Sequence, residues 1–536
     1  MRKLKLVFYF SFFIFHFSFI SAQQWCWGAD GIGGLKTGAG SSPVATNRFG
    51  NAYTTGAFLN SIIFGSDTLI ANNNDDNVVI VKYNSRGDVQ WAHNPKSFGS
   101  ATSTGYAIVS DAFDNAYVTG LSSGGTIIFG AYTLTGNNGF FVKYSPTGQV
   151  LWAQSYSGVS LAIDKNGNIC LATYDRLMKF NPNGNKFMDV SAILNADIFA
   201  ISLDSIGNIY ATGTEQPGWY PFLAKYDSSG NLLWSHEATV TSAACVGTAY
   251  SVTTDKAGSA YITGFFGDTM SFGAYTLKSP FNWTYTYDYR IACFLVKYDV
   301  NGNVVWAEQT KGKHKWRGTS LAKDRNNNIY LGGSGIDVDT FSFGGGIMTL
   351  HGSSSDASFI VKLDTAGKFV AGSLLKNGTL TFDPGDYLNG VAVDSSGNYS
   401  YLIGDFLGDT ILCADDTLTN PGGVLYPYIA RWSWTIPGCI NAEEGISEIT
   451  SSKPNALLYP NPNTGKFTIE LVGAENLGSA KLEIYNILGE KVFTKPLNGI
   501  TDKYSFDLTS RSSGIYLYRI ISESGQLIND GKFIIE

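Results

Sequence analysis

From Gly50 to Trp434 the chain runs as short apolar stretches, most of them alternating with small or polar residues and each cut after a few positions by Gly, Asn or Asp. In Ala52-Tyr53-Thr54-Thr55-Gly56 the apolar positions fall at period two, which predicts a half-buried strand. That string recurs: GNAYTTG at Gly50, DNAYVTG at Asp114, GNICLAT at Gly167, GNIYATG at Gly207, GSAYITG at Gly258, NNIYLGG at Asn327 and, one residue longer, GNYSYLIG at Gly397. An Asp stands three residues ahead of each (Asp111, Asp164, Asp204, Asp255, Asp324, Asp394), with Asn47 in the first copy. Asp, two linkers and Gly-Asn predict a tight hairpin turn: the side chain takes backbone N–H groups and Gly or Asn accepts positive φ.

A second apolar pair follows each first one. It reads VIVKYNSRGDVQWA at Val79, FFVKYSPTGQVLWA at Phe140, FLAKYDSSGNLLWS at Phe222, FLVKYDVNGNVVWA at Phe294 and FIVKLDTAGKFVAG at Phe359. The third copy is reduced to LMKFNPNGNKF at Leu177 and the seventh to YIARWSWT at Tyr428. Five copies insert an FGAYTL-like segment between the two pairs; the third and fourth do not. Two hairpins per copy make a four-stranded blade, and seven copies predict an all-β, seven-bladed β-propeller over residues 23–438. The seventh copy stops after Trp434 without a last strand, and QQWCWGADG from Gln23 has the look of that strand, so the two ends are expected to share a blade and leave no open edge. Cys26 and Cys439 would then lie near the seam, which makes them the candidate disulfide. The D-x-x-G-N-x-Y-x-T-G and V-K-Y-x-x-x-G-x-x-x-W patterns resemble the SBBP, or seven-bladed β-propeller, repeat family of bacterial exported proteins. That resemblance implies the fold and carries no catalytic residues.

Composition agrees with strands and turns over helices: aromatics are 14% of residues, charged residues only 15%, with 61 Gly. The net charge of −7 excludes a phosphate-tracking surface, so no nucleic-acid partner is expected; the short basic stretch from Lys311 to Arg317 reads as a solvated loop. Arg2, Lys3 and Lys5 precede an apolar run from Leu6 to Ile20 and the small pair Ser21-Ala22, which predicts a signal peptide over 1–22. No stretch of the mature chain is long and apolar enough for a stable membrane span.

Composition changes near Cys439. Residues 439–456 are polar and read as a linker, and 457–536 return to period-two strands separated by Asn-Pro, Leu-Gly-Glu and Ser-Gly turns, which predicts a small Ig-like β-sandwich. Tyr459-Pro460-Asn461-Pro462-x-x-Gly465, Ile484-Tyr485-Asn486-x-x-Gly489-Glu490, Gly514-Ile515-Tyr516-Leu517-Tyr518 and the closing Gly531-Lys532-Phe533 resemble the C-terminal sorting domain of the type IX (Por) secretion system of Bacteroidetes. The resemblance implies passage through the outer membrane to the cell surface or beyond, with the secretion machinery as partner.

Chemistry is sparse. The four histidines past Ala22 have no metal-ligand spacing, and no motif calls for a cofactor. GLSSG at Gly120 matches a nucleophile-elbow string without the strand–turn–helix it needs. The second-hairpin entry loops differ most between copies, and three are aromatic: Trp219-Tyr220, Tyr426, and an insertion in which Phe281, Trp283, Tyr285, Tyr287 and Tyr289 alternate. Trp219, Tyr220, Trp283, Tyr285, Tyr287 and Tyr426 are therefore the candidate ligand residues for a glycan or protein ligand. The expected function is non-catalytic binding or adhesion; the alternative is a polysaccharide hydrolase or lyase with carboxylates converging in the propeller channel.

Overall fold

The computed structural model describes residues 24–434 and 455–536, less short internal stretches of which 280–290 and 377–386 are the longest. The chain divides into two compact units, Met1–Ala442 and Glu443–Glu536. Every regular element among the described residues is a strand.

In the first unit the repeats form seven antiparallel sheets of the β-propeller type, each with four strand positions. The fourth sheet is representative: Ala196–Leu203, Ile209–Glu215, Tyr220–Tyr226 and Leu232–Glu237. In the first sheet two short pieces, Leu35–Lys36 and Val44–Thr46, together take the place of the first strand. The seventh takes its fourth strand from the other end of the unit: Gln24–Asp30 pairs antiparallel with Tyr426–Ser433, Gln24 opposite Ser433 and Asp30 opposite Tyr428. First strands touch their neighbours in succession around the unit, and Tyr387–Val393 of the seventh sheet touches Val44–Thr46 of the first.

The core lies between sheets. Tyr330 and Ile360 of the sixth pack on Leu388, Leu402 and Trp432 of the seventh, and Tyr401, Ile403 and Ile429 of the seventh pack on Val44, Phe58 and Val79 of the first. Each sheet is thus packed on both faces, so an inner strand such as Ala52–Phe58 is buried along its whole length and not half-buried as its period-two pattern predicts, while an outermost strand such as Leu232–Glu237 is largely exposed. The turns take the expected form: Oδ1 of Asp204 accepts the N–H groups of Ile206 and Asn208 at 3.1 and 2.9 Å, and the other copies repeat the arrangement. In the longer seventh copy Asp394 reaches one residue further, to Asn398 and Tyr399. Asp114 and Asn327, where other copies have Gly, take φ of 68° and 63°.

The FGAYTL segments are hairpins, such as Thr269–Phe272 with Tyr275–Lys278, laid against the outermost strand of their sheet. Tyr275 donates to the Val305 carbonyl at 2.6 Å and Tyr132 to that of Leu151 at 2.7 Å. In the second unit, Asn455–Tyr459, Lys466–Val472 and Lys503–Asp507 form one sheet and 480–486, 491–497, 514–522 and 527–535 another. Phe467, Ile469 and Phe506 of one share a core with Leu482, Ile484 and Phe533 of the other.

Candidate ligand-binding site

Most recurrent polar residues are used up by joining sheets. The Lys of each V-K-Y string and the Trp two strand positions into the next element converge on one carbonyl in the following sheet. Lys225 and Trp234 donate to Val300 at 3.1 and 3.3 Å, and Lys297 and Trp306 to Thr365 at 3.1 and 3.3 Å. Lys82 with Trp91, and Lys143 with Trp152, do the same at Pro146 and Pro182. In the seventh sheet Arg431 takes the place of Lys and donates to the Ser85 carbonyl of the first. The recurrent Tyr adds a second link where Tyr210, Tyr330 and Tyr401 donate to Gly258, Gly397 and Gly50 of the next sheet. Burial pushes the Lys225 amine below its usual pKa, and the Tyr210 ring, 5.0 Å away, offsets part of the desolvation.

What differs between copies gathers elsewhere. Five residues before each turn Asp or Asn stand Ser42, Tyr106, Val159, Phe199, Tyr250, Thr319 and Asn389. In five sheets that residue is the extra one of a β-bulge, since pairing slips across Tyr106, Phe199, Tyr250, Thr319 and Asn389. A bulge re-aims a side chain out of the sheet. Because first strands run toward the Asp turns and second strands run back, these bulges, the ends of second strands and the loops after them all lie at one end of the unit.

There the rings form an arc. Tyr174, 51% exposed, meets Phe199 with centroids 6.1 Å apart and planes at 88°. Phe199 meets Tyr250 at 6.1 Å and 35°, and Tyr250 meets Phe265 at 5.7 Å and 41°. The Arg317 guanidinium sits 5.2 Å from the Phe265 centroid. Burial, with Tyr174 and Asp76 nearby, pushes the Tyr106 hydroxyl above its usual pKa; burial and the neighbouring Asp197 do the same to Tyr174. Consecutive sheets, from third to sixth, thus supply one run of contacts between rings and the guanidinium.

Of the residues expected from sequence to bind ligand, Trp219 and Tyr220 lie at this end. Trp219 is 53% exposed, and its carbonyl accepts the Gly247 N–H, three residues before Tyr250. Tyr220 is half-buried, its ring folded against Gly218. Tyr426 opens the strand opposite Phe406; its side chain, like Trp283, Tyr285 and Tyr287, lies outside the described residues. Phe199, Tyr250 and Phe265 escape sequence reading because they sit inside strands, where an aromatic is ordinarily core; Tyr174 stands in the turn between Ile169–Ala172 and Arg176–Phe180. The signal was available in the disagreement between copies at the position five before the turn.

Cys26 lies in the closing strand and Cys439 outside the described residues, so their pairing is not visible. Cys170, Cys245 and Cys293 are free and buried, and burial pushes each thiol up to about 12. Ser122 of the GLSSG string is buried within the strand Ala116–Phe129. Among the described residues no three His, Cys, Asp or Glu side chains group as metal ligands, and no helix is long and apolar enough to cross a membrane.

In the second unit the Y-P-N-P motif holds the last strand in place. Asn461 accepts the Ile534 N–H at 2.9 Å and donates to the Lys532 carbonyl at 3.2 Å; the backbone of Asn463 bonds Ile534 and Glu536. Pro460 and Pro462 both follow cis peptide bonds, Tyr459 donates to Glu470 at 2.8 Å, and Lys532 is exposed. Gly465 has φ of 89°, and a Cβ there would lie 2.7 Å from the Thr509 backbone. Gly514 begins the strand opposite Ile535, and Gly489 lies outside the described residues. Glu483, only 1% exposed, accepts from Lys491 and Arg519 at 2.8 Å and from the Tyr485 hydroxyl at 2.6 Å, with Lys481 at 3.0 Å. Those donors hold its carboxyl far below the usual carboxylate range.

Residues 457–536 match the family described as secretion system C-terminal sorting domain. The protein is exported. Its sorting domain places it at the cell surface or in the medium, by the type IX route. An uncharacterized WD repeat-containing protein of Acanthamoeba polyphaga mimivirus is 24% identical over 435 residues, 71% of this chain; the chain spans 30% of that relative's length. Among solved structures, PorZ, a surface component of the type-IX secretion system of Porphyromonas gingivalis, is similar over 93% of this chain and 81% of its own, at 12% identity and a TM-score of 0.29. Virginiamycin B lyase of Staphylococcus aureus is similar over 76% and 99%, at 10% identity and 0.38. The Pan2 WD40 domain of Neurospora crassa is similar over 74% and 89%, at 8% and 0.38. Likeness of this degree carries no argument about activity.

Proposed function

We propose that this is an exported, non-catalytic binding protein. Its seven sheets are the blades of one closed, SBBP-type seven-bladed propeller, and an Ig-like sorting domain delivers it through the type IX machinery. Ligand is engaged at the end of the ring away from the Asp turns. One observation carries the reading: the recurrent polar residues are consumed by turns and inter-sheet links, while two variable bulge residues, Phe199 and Tyr250, join Tyr174 and Phe265 in an arc of rings. Half-exposed aromatics supply contact area at low entropic cost.

The test uses the full chain, applied to intact cells and to insoluble extracellular polysaccharide, beside a Phe199→Ala/Tyr250→Ala variant. Retention that falls at least tenfold in the variant supports the site. Equal retention of both proteins removes it, and release of new reducing ends from the polysaccharide would replace binding by hydrolysis.

A further inference from the structure

The opposite end of the first unit, where the Asp turns lie, carries a patch of a different kind. In the first three sheets the tips of those turns are Arg48-Phe49, Ala112-Phe113 and Lys165-Asn166, all exposed. Phe113 is 82% exposed and Phe49 57%, and the Arg48 guanidinium lies 4.7 Å from the Phe49 centroid. The two turns that carry the rings are joined: Asn47 donates to the Asp114 carboxylate, and the Tyr53 hydroxyl to the Asp114 carbonyl at 3.0 Å. A Cβ on Gly50 would stand 3.3 Å from that of Ser85, so the turn holding exposed Arg86 flanks the first ring. Charge divides this end in two. The second-hairpin turns open on Asp227, Asp299 and Asp364 in the fourth to sixth sheets, but on Asn84, Ser145 and Asn181 in the first to third. On that second side the turn carboxylates are engaged beneath the tips. Asp111 accepts the Phe113 and Asn115 N–H groups, Asp164 those of Asn166 and Asn168, and Lys82 pairs with Asp114 at 2.8 Å. Arg48, Arg86 and Lys165 face solvent there, against the exposed carboxylate of Asp88, to which Asn84 donates at 2.7 Å.

We propose that this patch docks the protein on an anionic lipid surface, with Phe49 and Phe113 entering the headgroup layer and Arg48, Arg86 and Lys165 meeting lipid phosphates. The patch is separate from the arc, and a protein docked by it turns the arc away from the lipid. The form of the patch favours a bilayer over a protein partner. Its rings stand on the tips of two separate turns, so a protein would need two pockets at one fixed spacing. A headgroup layer is fluid and admits an apolar tip wherever it lands. A cation beside each ring suits that boundary, because the ring leaves water while the guanidinium or ammonium stays at the level of the phosphates. The turns are also stiff, each bonded to its own Asp or Asn, with Asp114 fixed at a φ of 68°, so docking orders little that is not ordered already. Export brings this end to the lipid of the cell surface.

Sedimentation of the full chain with extruded vesicles tests this at low ionic strength. The vesicles are phosphatidylcholine alone and an equal mixture of phosphatidylcholine and phosphatidylglycerol. The mixed vesicles are expected to hold the protein about tenfold more tightly or better, a preference that fades as salt is added. Phe49→Ser/Phe113→Ser should weaken binding to mixed vesicles about tenfold. Arg48→Gln/Lys165→Gln should do the same and leave the residual binding to phosphatidylcholine as it was. Emission from Phe113→Trp should be quenched by acyl-brominated lipid above the wild-type background. The lipid comparison and the salt series use the wild-type chain, so they stand even if a variant misfolds. No binding to mixed vesicles, equal binding to both lipids, or binding unchanged in Phe49→Ser/Phe113→Ser overturns the proposal. Vesicle binding that is lost in Phe199→Ala/Tyr250→Ala also overturns it, by moving the lipid to the arc. Displacement by inorganic phosphate beyond that by chloride at the same ionic strength overturns it too, since that marks a site for a soluble anion. Vesicle binding as expected, without arc-dependent retention on cells or polysaccharide, supports this proposal and removes the arc alone.

Discussion

Gly264 stands opposite Ala249, where the bulge expels Tyr250 toward the arc. A Cβ at Gly264 would lie 1.8 Å from the Thr248 carbonyl oxygen and 2.8 Å from its carbon, against the 3.0 Å that real Cβ atoms keep. Both contacts are backbone, so no rotamer change relieves them; the first two strands of the fifth sheet must part by more than an ångström. Overpacking of this kind costs about 1–3 kcal/mol, and loss of a ladder hydrogen bond beside the bulge adds about 1 kcal/mol. Gly264→Ala should therefore destabilise the first unit by roughly 3 kcal/mol, lowering its urea midpoint by about 1 M if m is near 3 kcal/mol/M. Gly136→Ala is the control: φ there is 100° with nothing within 4 Å of the added atom, so only the left-handed backbone penalty of about 1 kcal/mol applies. All 11 tryptophans precede residue 443, so tryptophan emission reports the first unit alone. Because the same shift moves Tyr250, binding at the arc should weaken in step with stability. A Gly264→Ala midpoint within error of wild type, or above that of Gly136→Ala, would refute the bulge argument.

Asn461→Ala removes both side-chain bonds to the final strand and should cost the second unit about 1–2 kcal/mol, read as earlier proteolysis of residues 457–536 with the tryptophan transition unmoved. Glu483 has its folded pKa depressed, so its contribution is fully present above the unfolded value of about 4.3 and fades as pH falls below it. The second unit should lose stability progressively as pH falls from about 4.3 toward 3 and below, and Glu483→Gln should flatten that slope. Deleting residues 24–30 uncovers the edge of Tyr426–Ser433 and should yield oligomers by light scattering where the full chain gives none. Cys170, Cys245 and Cys293 should resist a thiol reagent at pH 8 until the first unit unfolds, since burial suppresses the thiolate.

The fold was largely legible because its information is local and repeated. Asp, Gly and Asn at fixed offsets place the turns, and period-two runs place the strands between them. Even the closing strand could be read, since Tyr426–Ser433 lacks a sequence neighbour to cover it and only Trp25 and Trp27 resemble the missing partner. The duty of Lys225 was not legible, because its acceptor Val300 lies 75 residues on and belongs to the next copy. The arc stayed hidden for a related reason. Phe199 and Tyr250 are unremarkable in their own strands, Tyr174 stands in a turn of the sheet before them, and only the bulges and the succession of sheets bring them side by side. Trp219 was found because it stands in a loop, where an exposed aromatic is conspicuous.

The Lys and Trp links of the first, second, fourth and fifth sheets all point one way, each giving its donors to the next sheet, and Arg431 returns the last donation to Ser85 across 346 positions of chain. The entropy lost in bringing such distant positions together grows only with the logarithm of their separation, so a ring of one repeat fewer or more would pay almost the same to close. Chain length therefore does not set the number of repeats. The angle between neighbouring sheets does, through the side chains wedged between them, and enlarging or shrinking those wedges is the route by which a repeat could be gained or lost.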